Sequence, residues 1–517
     1  YMSSITDYLK QLGAALAQGD ATEHTHRPAL KALLELLDAD IKATNEPKRQ
    51  ACGAPDYIIM RGQAPVGFIE AKDIGVGLDA VESGEQMGRY LPSLSNLILT
   101  DYLEFRWYIN GVRVASARLA TVGAHGKLHP VSGGADDVSA LLQNFLKSDV
   151  PTVNDARELA GRMANLAQLL REIVEKWLTA ENEHGVLHGQ MAAFRESLLH
   201  DLTAEQFADM YAQTICYGLF AARINFNGQG EFTRERAPYL LPSTNPFLRD
   251  LFAMLAGPAL RDEPYVWVVD NLALLLDRSD ISACMEGFGR GTAQIDPVLH
   301  FYETFLAAYD PRLRELRGVY YTPEPVVSYI VRSVDQLLKS DFDLPLGLAD
   351  SSSTSVDGVD VHRVLILDPA TGTGTFLRRV IEQIHGTFAN NMGTWNDYVS
   401  RHLLPRIFGF ELLMAPYAIA HLKLALELQE MGYDINASGE RLNIFLTNTL
   451  EEARNTAGQA SLAYALTQEA SKAGKVKGEY PVMVVLGNPP YSGHSANKGE
   501  WIKNLLHGRD GNMKSTG

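Results

Sequence analysis

The chain has 517 residues, 46% of them hydrophobic and 21% charged, with a net charge of −16. That profile is globular, and no run of about 18 apolar residues and no basic-then-apolar start (Tyr1, Met2, Ser3, Ser4) occurs, which argues against a spanning helix or a signal segment and predicts a cytoplasmic protein with no membrane partner. The charge also speaks against nucleic-acid binding through overall basicity, although phosphate attraction depends on where Lys and Arg cluster rather than on their sum. Cys52, Cys216 and Cys284 lie far apart with no paired Cys/His spacing, so neither a disulfide framework nor a zinc site is expected. At about 150 residues per domain, the length predicts roughly three domains.

Residues 1–150 open on a helical pattern and continue in short β-like runs ("PDYIIM", "VGFIEAK", "NLILT", "EFRWYIN") broken by Gly, Pro and Asp, the texture of a small α/β domain. If "RGQAP" (61–65) is a hairpin turn, Met60 pairs with Val66, and counting back sets Asp56 opposite Glu70. Facing carboxylates repel at the ~5 Å spacing of cross-strand neighbours, and a divalent cation between them reverses that sign. Their hard oxygens suit Mg²⁺. Lys72, two residues on, shares the strand face of Glu70, where it can hold or polarise an attacking water.

Residues 151–315 carry helical periodicity, as in "NDARELAGRMANLAQLLREIVEKWL", and read as a helical spacer. Thr203 and Gln206 form a capping box there, with Leu202 and Phe207 at staple positions. From 316 to 517, strand-like runs ("RVLILD", "RIFGFE", "NIFLTN", "VMVVLGN") alternate with helical stretches, the pattern of a doubly wound parallel sheet. "DSSSTSVDG" (350–358) reads as a polar loop inside this zone. The first of the four strands ends in Asp368 and a turn with Gly372 and Gly374, which permits positive φ and close approach of a ligand to the backbone at a helix N-terminus. The other tips carry Glu411, a carboxylate able to accept both hydroxyls of a ribose, Asn448, and the corner Asn488-Pro489-Pro490-Tyr491. Four polar strand tips fall at the edge where ligands of open α/β sheets bind.

On these residues the third zone resembles the catalytic domain of gamma-class N6-adenine DNA methyltransferases. "DPATGTGTF", with Asp368, Ala370, Gly372, Gly374 and Phe376, is similar to their cofactor loop, and "NPPY" to their catalytic corner. "GVYYTPEPVVSYIV" is similar to the segment that closes over the methionine part of S-adenosylmethionine. The resemblance implies that Tyr321, Thr322 and Pro323 also contact this cofactor, that Glu411 holds its ribose and that Asn448 lies near its adenine. It also implies double-stranded DNA as partner, with one adenine flipped out onto Tyr491. NPPY occurs as well in enzymes that methylate a protein glutamine, so the motif alone leaves the substrate open.

The first zone resembles the PD-(D/E)XK nucleases, with Pro55-Asp56 and Glu70-Ala71-Lys72 as the core. "GEQMGRYL" sets Gln86 and Tyr90 four apart on one helical face, similar to the QxxxY element of a subset of them. Glu23 stands where many members place a further metal-binding acid, or is a simple helix-capping acid. A nuclease, a helical spacer and an adenine methyltransferase together resemble the single-chain restriction-modification enzymes of the type IIG and type ISP groups; "FADMYAQTICYGLFAAR" is similar to the latter. No G-x-x-x-x-G-K-[ST] occurs, so cleavage without an ATP-driven motor is expected. The chain stops soon after Tyr491, and the resemblance implies further strands and a target-recognition domain downstream. Alternatives are a methyltransferase with an inactive nuclease domain and a non-catalytic DNA-binding component of a defence complex. The oligomeric state is left open.

Overall fold

The computed structural model describes residues 2–17, 22–44, 54–62, 64–123, 126–148, 152–180, 185–242, 245–257, 263–287, 297–310, 322–356, 358–389, 391–450 and 461–489. Contacts divide the chain into two compact units, Tyr1–Trp177 with Glu231–Thr233 and Ala259–Ala293, and Leu178–Gly230 with Arg234–Pro258 and Gln294–Gly517. No helix among the described residues is long and apolar enough to cross a membrane.

The first unit is built on a six-stranded sheet in the order β1-β2-β3-β4-β5-β6, comprising Ile41–Thr44, Tyr57–Arg61, Ala64–Ala71, Asn96–Thr100, Glu104–Ile109 and Val112–Arg118. Only β3 and β4 run parallel. Helices α1 (Met2–Leu16), α2 (Glu23–Leu37) and α5 (Gly134–Lys147) cover one face. Their buried positions recur at helical spacing (Ile5, Tyr8, Leu12; Leu30, Leu33, Leu34, Leu37) and meet Tyr57, Ile59, Ile69 and Ile98 from the sheet. The parallel crossover from β3 to β4 runs through α3 (Leu78–Glu82) and α4 (Glu85–Ser93). A small hairpin, β7 (Ala120–Val122) and β8 (Leu128–Pro130), precedes α5.

The β2–β3 hairpin forms, but its register corrects the expected pairing near the turn. Met60 pairs with Pro65 rather than Val66, and the register shifts by one between Ile59 and Met60. Beyond that bulge Tyr57 pairs with Ile69, so one step further Asp56 faces Glu70 as counted from the sequence. The residue skipped by the shift is Val66, while Pro65, which has no amide hydrogen for the ladder, stays opposite Met60 near the turn.

The helices of residues 151–315 are shared between the units. All but the last turn of α6 (Ala156–Thr179) belongs to the first, as does α10 (Val266–Asp277). There Trp267 packs on Phe68 of β3 with ring centroids 5.6 Å apart. The second unit takes α7 (Val186–Ser197), α8 (Ala204–Ile224), α9 (Pro246–Ala256) and α11 (Pro297–Tyr309). In α8 the run Phe207–Ala222 is buried on every side, as a helix apolar all round must be. The predicted capping box opens it: Thr203 Oγ1 accepts from Gln206 N at 3.2 Å, and Gln206 Oε1 accepts from Thr203 N at 3.0 Å.

The second unit's sheet has the order β13-β12-β11-β14, formed by Asn443–Leu446, Ile407–Glu411, Ile366–Asp368 and Val484–Val485, all parallel. Flanking helices are α12 (Glu324–Asp341), α13 (Thr375–Gly386), α14 (Met414–Glu430) and α15 (Ser461–Gly478). Leu365, Phe408, Phe410 and Phe445 pack with Ala473 and Val476 of α15 in one core cluster. The chain leaves β11 toward β12 and β13, then returns to the other side of β11 as β14. This reversal of strand order opens a crevice at the carboxyl ends of β11 and β14.

The segment expected as a polar loop is corrected. Ser353–Val356 (β9) pairs antiparallel with Val359–His362 (β10), with Gly358 at φ +81° in the turn. Ser, Thr and Val alternate there, and β-branched residues fit an exposed ribbon as readily as a loop.

Candidate functional sites

In the second unit the turn after β11 is drawn tightly around its backbone. Gly372 and Gly374 adopt φ of +55° and +81°, the left-handed region that glycine enters without steric penalty. Gly374 caps α13, whose first turn buries Phe376. Asp368 has no exposed surface. Its Oδ1 accepts from Ala370 N at 3.1 Å, while its Oδ2 is buried with no hydrogen-bond partner among the described residues. Burial pushes this carboxyl up to about 7, the Ala370 amide opposing and the charge of Glu411 adding to the shift.

Glu411, at the tip of β12, sends one carboxylate oxygen to Gly372 N at 2.8 Å and the other to Leu412 N and Leu413 N, each at 2.9 Å. Burial raises its pKa and these three amides oppose the shift. Buried Asn448 follows β13; its Oδ1 accepts from Leu450 N at 3.1 Å, and its carbonyl accepts from Lys477 Nζ at 2.6 Å. Thr449 Oγ1 donates to Pro369 O at 2.6 Å, tying this tip to the glycine-rich turn. Asn488 and Pro489 lie exposed beyond β14. A Cβ at Gly487, just before them, would stand 2.4 Å from Asp368 Oδ1, so only glycine lets the corner pass this close. Asn488 Nδ2 donates to Thr322 Oγ1 at 3.0 Å, across 166 positions of sequence.

The structure thus gathers Thr322, Asp368, Ala370, Gly372, Gly374, Phe376, Glu411, Asn448, Asn488 and Pro489 along one sheet edge. Pro323 directly follows Thr322 and precedes α12. Tyr321, Pro490 and Tyr491 lie outside the described residues. The orphaned Asp368 oxygen and the bare glycine backbone fit a cofactor with a cationic group and a sugar. Lys477, whose ammonium also lies 5.4 Å from the Phe410 ring centroid, was not foreseen; it sits in a lysine-rich helix end that reads from sequence as solvated surface.

In the first unit Asp56 and Glu70 are buried, 7% and 2% exposed. Lys72 Nζ donates to Glu70 Oε1 at 2.6 Å and to Gln86 Oε1 at 3.0 Å, and Gln86 Nε2 donates to Tyr90 OH at 3.4 Å. Burial first, and then the charge of Glu70, raises the Tyr90 pKa, which keeps its hydroxyl protonated. Four of the five polar side chains of the two predicted motifs, Glu70, Lys72, Gln86 and Tyr90, therefore form one chain of contacts, α4 delivering its pair to the end of β3. Asp56 accepts from Ala71 N at 2.7 Å through Oδ2, and through Oδ1 from Arg27 Nη2 at 2.6 Å. Arg27, buried on α2, has no local motif around it, and the contact spans 29 residues. Glu23 opens α2, and its side chain lies outside what is described. No group of three or more His, Cys, Asp or Glu suited to a metal occurs among the described residues. Asp56 and Glu70 are two buried carboxylates of the hard-oxygen type that Mg²⁺ takes, with Asp56 engaged by Arg27 and the Ala71 amide and Glu70 Oε1 by Lys72.

Residues 293–507 match the family model described as N-6 DNA Methylase. This stretch is an N6 DNA methyltransferase domain, carried within a longer mixed α/β chain. Among solved structures the chain is similar to the DrdV–DNA complex determined by cryoEM, at 23% identity and TM-score 0.41, covering 96% of this chain and 44% of that one. It is also similar to the ATP-dependent type ISP restriction-modification enzyme LlaBIII bound to DNA, at 19% identity and TM-score 0.45, covering 70% and 22%. A third similarity is to the type IIG restriction endonuclease BpuSI, at 13% identity and TM-score 0.28, covering 90% and 44%. The chain spans less than half the length of each of these three. No curated protein matches it.

Proposed function

We propose that the second unit transfers a methyl group from S-adenosylmethionine to the N6 amine of an adenine flipped out of double-stranded DNA. We propose further that the first unit is a Mg²⁺-dependent nuclease of PD-(D/E)XK type that cuts unmodified DNA, in a single-chain restriction-modification enzyme without an ATP-driven motor. One observation carries the reading: Asn488-Pro489 stands beside the glycine-rich turn at the switch point of a sheet that lies within the N-6 DNA Methylase match.

Adenine's exocyclic nitrogen is a poor nucleophile because its lone pair is delocalised into the ring. When Asn488 Oδ1 and the Pro489 carbonyl accept its two hydrogens, the nitrogen can pyramidalise and direct that pair outward. Proline's fixed φ holds the acceptors still before the base arrives. Tyr491 stacks on the base, offsetting with about 1–3 kcal/mol an unstacking cost of a few kcal/mol, and Pro490 stiffens the corner between them. Asp368, Ala370, Gly372, Gly374, Phe376, Glu411 and Asn448, with Tyr321, Thr322 and Pro323, would hold the cofactor, which supplies an electrophilic methyl on sulfonium. In the first unit Asp56 and Glu70, with Glu23 as a third acid, would hold Mg²⁺, which lowers the pKa of a bound water and neutralises phosphate charge. Lys72, held by Glu70 and Gln86, orients that water.

Arg27 on Asp56 favours a second reading of the first unit, a silent nuclease whose metal position is taken by a guanidinium. Incubating full-length protein with bacteriophage DNA, Mg²⁺ and labelled S-adenosylmethionine, then mapping cuts and N6-methyladenine on the same molecules, tests both. Methylation without cuts under Mg²⁺ or Mn²⁺ selects the silent form, and absence of methyl transfer overturns the main reading.

A further inference from the structure

We infer that Thr322 is a positioning residue for methyl transfer: its hydroxyl oxygen orients the Asn488 side-chain amide, coupling the cofactor segment to adenine recognition. The inference rests on the methyltransferase reading of this site. An amide has one donating end and one accepting end, and only the oxygen can take a hydrogen from the adenine amine. Because Asn488 is exposed, packing does not fix which end faces the crevice. The hydrogen bond from Nδ2 to Thr322 Oγ1 at 3.0 Å occupies the donating end and leaves Oδ1 available. In the reverse orientation the threonine would become the donor, and the oxygen that the base needs would be consumed.

Thr322 stands two residues ahead of α12, and Val327 and Val331 of that helix are fully buried. A rigid element therefore holds the hydroxyl, while Asn488 follows a strand of only two residues. The amide then presents its oxygen only when the 322–323 segment is in place.

The test is methyl transfer by full-length protein to bacteriophage DNA at saturating labelled S-adenosylmethionine, with cofactor affinity measured separately by equilibrium dialysis. Thr322→Val is expected to lower kcat by about 10- to 100-fold, the scale of a misplaced catalytic group, while Thr322→Ser stays within about threefold because it keeps the oxygen. The Thr322→Val/Asn488→Ala double variant is expected to be no slower than Asn488→Ala alone, since the two act as one unit. Unchanged kcat with weakened cofactor binding in Thr322→Val would mean that the hydroxyl serves only the cofactor, and the inference falls. So would a serine variant as slow as valine. Asn488→Ala methylating at the unmodified rate would instead remove the reading of the site itself.

Discussion

Asp368 combines complete burial with a carboxyl pushed up to about 7, well above the ordinary carboxylate range. Its native pKa exceeds the unfolded one, so between about pH 4 and 7 the folded state holds more protons than the unfolded state. Stability from this group therefore falls as pH rises through that window, by at most about 1.4 kcal/mol per pH unit. Asp368→Asn removes the slope: its unfolding free energy relative to the unmodified protein should climb from pH 5 to 8 in urea titrations. If the carboxylate pairs with the cationic methionine end of the cofactor, S-adenosylmethionine affinity should weaken up to about tenfold per unit as pH falls below 7, and the asparagine variant should show a flat profile by equilibrium dialysis. Asp368 was legible from sequence because a strand, an acid and two glycines lie within one short run. Asp56, Glu70 and Lys72 were legible because a hairpin makes neighbours of nearby positions. Arg27 was not, since its contact with Asp56 depends on how α2 lies on the sheet, which no local spacing records.

Elements were legible in proportion to how strongly local chemistry marks their ends. The capping box at Thr203 and Gln206 forms as read, and Thr203→Ala should lower the stability of the unit that contains α8 by about 1 kcal/mol. Thr203→Ser should retain most of that, as judged by the urea midpoint of the α8-containing transition. β9 escaped because its four exposed residues, Ser353–Val356, bury nothing and carry only one apolar side chain, and β10 because Val359–His362 is too short for its alternation to stand out from a polar loop. β14 was expected from a longer apolar run, yet the strand covers only Val484 and Val485, with Leu486 N still donating to Leu367 O beyond it. Gly409 within β12 has a packing reason that periodicity cannot reveal: a Cβ there would lie 2.5 Å from Thr371 Oγ1 and 3.1 Å from Leu377 Cδ1. Gly409→Val should force the glycine-rich turn off the strand and lower soluble yield or cofactor affinity together with stability.

The strand order of the second sheet is a property of the whole second unit, and single runs in the sequence do not contain it. Four polar tips were visible one by one, but only the return of β14 beside β11 brings Asn488 to the glycine-rich turn. The division into two units is similar in kind, since the middle helices distribute according to the cores they complete. Each candidate site draws its described residues from one unit alone, so damage to one should spare the chemistry of the other. Asp56→Ala is a poor probe of this, because it removes the oxygens that accept from Arg27 Nη2 and Ala71 N in the buried hairpin, and so changes packing and hydrogen bonding as well as charge. Asp56→Asn keeps a side-chain oxygen toward Arg27 while removing the charge that would hold Mg²⁺. The asparagine variant should therefore lose Mg²⁺-dependent cutting of bacteriophage DNA by at least about 100-fold, as for a lost metal ligand, while incorporating labelled methyl groups within twofold of the unmodified rate. Asn488→Ala should slow methyl incorporation by about 100-fold or more while leaving it measurable, the scale for losing one preorganised hydrogen-bonding group at the reacting atoms, and leave the affinity of the Asp56–Glu70 pair for Mn²⁺ unchanged by calorimetry. If Asp56→Asn instead stops methylation and cutting together with its folding intact, the two chemistries share machinery, and their assignment to separate units is wrong.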